Sequence, residues 1–267
     1  SWWLFGPAAA WLGVATLGVA YTAVSPEAWE PPPARGQTVG SEDCARCHRE
    51  QFETWHASYH RTMTQSVLEQ PDAVLAPFDG EQLTVAGFVA TMDRDPAGQP
   101  RITVREDGPE GTVVLAAAVE LTVGSHRYQQ YVARLDRGGG PQERWRLPFA
   151  WHPDAERWIH LGGAFLFSDV TSGDTSAYLR HLSRWNDNCV FCHNTEPVPG
   201  LRASGEFDTR VAELGIGCEA CHGPGEAHVG RQADPFRRLV AGVARPPGDP
   251  AVTHPGRDDM GVTPRTA

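Results

Sequence analysis

The sequence predicts an α+β protein: an irregular, helix-containing scaffold with a small antiparallel sheet inserted in it, preceded by one transmembrane helix. Three observations predict this. The pentad Cys-x-x-Cys-His occurs three times, as Cys44-Ala-Arg-Cys47-His48, Cys189-Val-Phe-Cys192-His193 and Cys218-Glu-Ala-Cys221-His222, and together the copies use all six cysteines. Between the first and second copies, short alternating apolar–polar segments are punctuated by turn sequences. Near the start, Leu4 to Val24 carry no charged side chain.

The uncharged stretch comes first. Its 21 residues span roughly 31 Å as a helix, about the thickness of a bilayer's hydrocarbon core. Trp2 and Trp3 stand at one end, and Tyr21 and Trp29 near the other, where interfacial aromatics anchor a membrane helix. A cleaved signal peptide is the alternative; residues 1–25 are read as an uncleaved anchor. Ala9, Gly13, Thr16 and Ala20 form a small-residue stripe against which another membrane helix can pack closely. A Pro-rich linker follows over residues 26–39, and residues 40–267 make up the remaining domain.

Ser41 is expected to cap a short helix carrying the first pentad and continuing through Phe52 and Trp55 toward Met63. Segments 83–91, 101–106, 112–123, 127–135, 143–149 and 157–161 favour strands, separated by Asp95-Pro-Ala-Gly98, Asp107-Gly-Pro109 and Gly138-Gly-Gly140. They define a β-rich insert over about residues 81–162. Helix returns around Thr175 to Arg184, and the last forty residues read as irregular coil.

The pentads carry the chemistry. In this motif two thiols add to the vinyl groups of a haem and the adjacent histidine ligates its iron. A zinc site also uses Cys-x-x-Cys pairs, but needs four ligands in one tetrahedron and no histidine after each pair. A disulfide framework predicts no repeated histidine, and a redox dithiol usually occurs once. Three covalently attached c-type haems are therefore expected, held by Cys44, Cys47, His48, Cys189, Cys192, His193, Cys218, Cys221 and His222, and the scaffold is that of a multihaem cytochrome c. Haem c attachment takes place outside the bacterial cytoplasmic membrane, so the haem domain belongs in the periplasm, beside a single-pass anchor in the inner membrane.

The net charge of −10, with no lysine anywhere, leaves nucleic acid little to bind. Eight histidines lie outside the pentads: His56, His60, His126, His152, His160, His181, His228 and His254. A second histidine saturates an iron for electron transfer, a methionine raises the potential, and an open position permits catalysis. Met63, Met92 and Met260 are the methionines available.

Ser58-Tyr59-His60 after the first pentad and Gly223-Pro-Gly-Glu-Ala-His228 after the third resemble the cytochrome c-554-like multihaem family, related to the tetrahaem cytochrome of ammonia oxidisers. Gly124-Ser-His-Arg-Tyr-Gln-Gln-Tyr131 and Trp185-Asn-Asp-Asn188 fit the same group. The resemblance covers roughly residues 40–230. It implies that His60 ligates the haem of Cys218 and Cys221, and that His228 ligates the haem of Cys44 and Cys47. Independently, His228 follows His222 too closely to reach round its own macrocycle, whereas a neighbouring iron is accessible. For the second haem His126 is the first choice, with His181, His254, a methionine or an open position as alternatives. His56, His152 and His160 read as packing or hydrogen-bonding residues. The chain departs from the family in having three pentads where relatives have four or more, and in its apparent membrane helix.

These readings imply an electron relay. Its partners would be an integral membrane redox complex, photosynthetic or respiratory, met through the N-terminal helix, and further redox proteins, soluble or membrane-bound. The alternative is a multihaem oxidoreductase acting on a small nitrogen or sulfur compound at an open iron; lysine-ligated nitrite reductases are excluded because no lysine exists. A structural role for the haems ranks last.

Overall fold

Alternating apolar side chains set the frame of the molecule. The computed structural model describes residues 37–136, 143–163 and 172–233. Within them Phe88, Ala90 and Met92, then Ile102 and Val104, then Leu115, Ala117 and Val119 are buried on one face, as a period of two requires. They belong to strands β3 (Phe88–Arg94), β4 (Pro100–Glu106) and β5 (Val113–Val123). With β2 (Glu81–Val85), β6 (Gln129–Arg134), β7 (Arg144–His152) and β8 (Arg157–His160) these form an antiparallel meander in chain order. The meander curls until β8 approaches β2, so the sheet is close to a barrel. Tyr131, Leu147, Phe149, Trp151, Trp158 and Tyr178 complete its core.

Two very short strands tie this frame to the pentads. β1 (Thr64–Ser66) pairs with the end of β5, and β9 (Ser183–Arg184) pairs with the start of β7. One irregularity decides which side of the sheet they serve. Val119 faces Ala133, but Leu121 faces Val132, so Glu120 is an extra residue in β5. A bulge of one residue exchanges the two faces of a strand. Val119 and Ala133 therefore lie in the barrel core, whereas Leu121, Val123 and Val132 lie in a second apolar cluster with Trp185 and Val190. The Glu120 carboxylate accepts hydrogen bonds from both Arg134 and Arg144, so the extra residue is tied to the two strands beside it.

The expected architecture needs correction. The antiparallel sheet is the frame of the described residues and not a small insert in a helical scaffold. It extends beyond residues 81–162, because Thr64–Ser66 and Ser183–Arg184 join it. Two or three residues are too few for alternation to be visible, so these strands were not legible. The helices are minor: α1 (Ser41–Ala45), α2 (Arg49–His56), α3 (Thr175–Tyr178), α4 (Val190–His193), α5 (Cys218–His222) and α6 (Glu226–Ala233). The helix expected to run toward Met63 stops at His56, where Ser58 donates its N–H and hydroxyl back to the Trp55 carbonyl. The helix expected over Thr175 to Arg184 stops at Tyr178, and β7 captures Ser183 and Arg184. The segment 83–91 is a hairpin, turning at Ala86-Gly87 with both residues at positive φ. The transmembrane helix expected over residues 1–25 lies outside the described residues; among those described, no helix is long and apolar enough to cross a membrane.

Candidate functional site

The first and third pentads form one unit, although about 170 residues separate them. Ser41, expected as a cap, is instead the first residue of α1 and is buried. Its hydroxyl donates to Glu213 at 2.7 Å and accepts from the Cys218 N–H at 3.0 Å. Glu219, inside the third pentad and only 3 % exposed, accepts from the N–H groups of Val39, Gly40 and Gly225. A carboxylate with several backbone donors makes strong, charge-assisted bonds. Glycine keeps this network close: a Cβ at residue 217 would sit 2.4 Å from Glu213 Oε2 and 2.9 Å from Ser41 Oγ, so a side chain there would displace the Ser41–Glu213 hydrogen bond.

This network brings Cys44 beside Cys218, thiol against thiol. Burial pushes the Cys44 thiol up to about 11, helped by Cys218, Glu219 and Glu213. It also brings His48 opposite His228 of α6, with ring centres 6.1 Å apart and planes tilted by 31°. Half-buried His60 lies on the loop after α2, and its carbonyl accepts the Ile216 N–H, while the Trp55 indole donates to the Ile216 carbonyl. The chain leaving the first pentad is thus bound to the chain entering the third.

The second pentad is held differently. A wide helical turn over Trp185–Cys189 leads from β9 into α4, and Trp185 and Val190 seat it on Leu121, Val123 and Val132. Buried Asn186 accepts from the Arg144 N–H and donates to Thr209. Thr64 donates to the His193 carbonyl at 2.9 Å, so β1 reaches this pentad too. The His193 Nδ1 is buried without a hydrogen-bond partner among the described residues, and burial lowers its basicity. Burial likewise pushes the Cys189 thiol up, against the pull of Arg146. Strands β10 (Asn194–Thr195) and β11 (Glu213–Leu214) pair to join the second pentad to the third. Thr195 fastens the join, accepting from the Gly217 N–H and donating to the Gly215 carbonyl.

Among the remaining candidates, exposed His126 stacks on Tyr59, the residue before His60, at 4.3 Å and 7°. Ser125 and Thr62 are hydrogen-bonded beside it. The His181 carbonyl accepts from Arg146. Met92 lies deep in the barrel core, away from any pentad chemistry. His152 accepts the Ala155 N–H, His160 bonds the Tyr178 carbonyl, and His56 stacks on Phe52, which are packing and hydrogen-bonding roles. His254 and Met260 lie outside the described residues. Glu213, Glu219 and Arg146 escaped sequence reasoning, since nothing local marks a glutamate or arginine that works on a partner far along the chain.

The donor set suits a planar macrocycle that brings its own equatorial nitrogens. Among the described residues no three His, Cys, Asp or Glu side chains converge on one point, as a protein-only tetrahedral site requires. No disulfide uses any of the six cysteines, and Cys47, Cys192 and Cys221 are exposed. Two imidazoles whose ring centres stand about 6 Å apart would leave room for one metal between them, at bonds of about 2 Å to each ring nitrogen. The His48–His228 spacing matches that arrangement and is too long for ring-to-ring hydrogen bonding or stacking.

Residues 43–79 and 170–223 match the family described as cytochrome c554 and c-prime, roughly a third of the chain. All three pentads fall inside the match and strands β2 to β8 fall outside it. The match supports a c-type cytochrome that carries covalently bound haem and transfers electrons. Among solved structures the chain is similar to the outer cell wall cytochrome OcwA, at 18 % identity and a TM-score of 0.47. That similarity covers 74 % of this chain but only 34 % of the other, so the chain spans about a third of that protein's length. No curated protein matches the chain.

Proposed function

We propose that this chain is a periplasmic c-type cytochrome with three covalently attached haems, relaying single electrons at a membrane. The observation that carries the proposal is the opposition of His48 and His228 at 6.1 Å beside the adjoining Cys44 and Cys218 thiols. Cys44 and Cys47 would hold the first haem between His48 and His228. Cys218 and Cys221 would hold the third between His222 and His60, and Cys189 and Cys192 the second on His193, with His126 facing it. Bound haem supplies reversible one-electron chemistry at iron. The chain supplies the geometry: Ser41, Glu213 and Glu219 clamp two attachment helices together, and Leu121, Val123 and Val132 seat the third.

The uncharged stretch Leu4–Val24 supports retention at the inner membrane beside a photosynthetic or respiratory complex, with other redox proteins as further partners. Attachment is tested by mass spectrometry and pyridine haemochrome analysis of the exported protein, which should count three haems. Ligation is tested by low-temperature EPR. His228→Ala should turn one low-spin signal high-spin while covalent attachment persists; an unchanged spectrum would sink the His48–His228 pairing. Added cyanide or nitrite should leave the oxidised wild-type spectrum unmoved, whereas a shifted high-spin signal would transfer the proposal to a reductase at an open iron.

A further inference from the structure

Apart from solvent-facing ion pairs such as Arg46–Asp43 and Arg49–Glu53 at the first pentad, the charges held closest to the pentads differ in sign. Glu213 lies against Gly217 and Glu219 follows Cys218, so two carboxylates flank the place where Cys44 and Cys218 meet. Neither is paired with an arginine among the described residues; their partners are Ser41 and backbone N–H groups. At the second pentad the unpaired charge is positive. Arg146 stands opposite Ser183 in the β7–β9 register, and Ser183 accepts a hydrogen bond from Asn188, the neighbour of Cys189. Its Nη2 donates to the His181 carbonyl, its Nε–H is buried without a partner, and no carboxylate meets it among the described residues. Of the other charges nearby, Arg184 spans Glu143 and Asp187, Arg134 and Arg144 share Glu120, and Glu196 is exposed, where water screens it.

Oxidised haem carries one more positive charge than reduced haem. Carboxylates therefore favour the oxidised form and a guanidinium the reduced form, more strongly where protein excludes water. We propose that Glu213 and Glu219 on one side and Arg146 on the other set a potential gradient, so that electrons enter at the first and third pentads and leave from the second. In the step this favours, one electron leaves the region of the two glutamates and arrives in the region of Arg146, with no bond made or broken. The inference rests on the three-haem reading and gives that relay a direction.

Spectroelectrochemical titration of the holoprotein, resolved by EPR, tests it. Arg146→Gln should lower the midpoint of the highest-potential component and no other, and Arg146→Lys should leave it in place. Glu213→Gln should raise a different, lower component. The gradient is overturned if Arg146→Gln moves a lower component or none, if Arg146→Lys moves the midpoint as far as glutamine does, or if both sites move the same component. Haem is counted first, so the two failures separate. Fewer than three haems breaks the underlying reading, whereas a full complement with the wrong shifts breaks the gradient alone.

Discussion

The first and third pentads are joined by polar contacts across the chain, whereas the second is seated on an apolar sheet face. In the first unit, Ser41, Glu213 and Glu219 bind backbone N–H groups up to 180 residues away. In the second, Trp185 and Val190 lie on Leu121, Val123 and Val132. The difference teaches how one chain can hold a close pair of attachment sites and a separate third. Hydrogen bonds to a buried carboxylate fix distance and orientation, which holds the first and third pentads side by side. Apolar burial is non-directional and supplies more free energy per residue, which suits a site seated on a sheet face.

That contrast can be broken most directly at Trp185. Trp185→Ala should cost about 3–5 kcal/mol, the usual range for a buried tryptophan. Thermal unfolding of the holoprotein measures it, and the EPR signature assigned to His193 should broaden before the others change. Simultaneous loss of all three signatures would show that the two regions are not separately supported. Glu219→Gln comes next. A side-chain amide must turn its NH2 toward one of the backbone donors, at a cost of about 1–3 kcal/mol. Here the signature linked to His48 and His228 should change while that of His193 stays, and the reverse pattern would contradict the clamp.

The smallest expected effect lies at the bulge and sharpens the comparison through pH. Burial alone would raise the Glu120 pKa, but Arg134 and Arg144 more than offset it and hold the carboxylate below its ordinary 4.5. A depressed pKa stabilises the fold above the unfolded value and loses that contribution as pH falls through the folded one. The melting temperatures of wild type and Glu120→Gln should therefore differ near neutrality and converge in acid. A gap that persists in acid strong enough to protonate the carboxylate in the folded state would assign Glu120 some role other than its ion pairs.

Strand segments 101–106 and 112–123 were legible because the first alternates from Arg101 to Arg105 and the second is a Val-rich apolar run, and the observed strands start or end within a residue of those limits. The hairpin at Ala86-Gly87 was not, since alanine is a poor signal for a turn residue at positive φ. The bulge was hidden more deeply. Leu115, Ala117, Val119, Leu121 and Val123 recur at every second position and read as one face. The extra residue at Glu120 exists only relative to β6, so only strand pairing reveals that the last two point to the other side. At the site, every pentad was legible because its parts lie within five residues. Glu219 was visible as a letter inside the third pentad, but its partners Val39 and Gly40 were not.

The sequence by itself determined the chemistry: three pentads with the local spacing that covalent haem attachment requires, and no cysteine left for anything else. Only the tertiary structure decided that the antiparallel sheet is the frame, that Cys44 meets Cys218, and that carboxylates gather at one site while Arg146 stands at another; the nearness of His228 to the first pentad was implied by the family resemblance, and folding sets its distance from His48. The physical reason is range. The covalent bonds to a haem are made by neighbours on one short stretch of chain, whereas register, ring-to-ring placement and electrostatic environment arise between residues that meet only after folding.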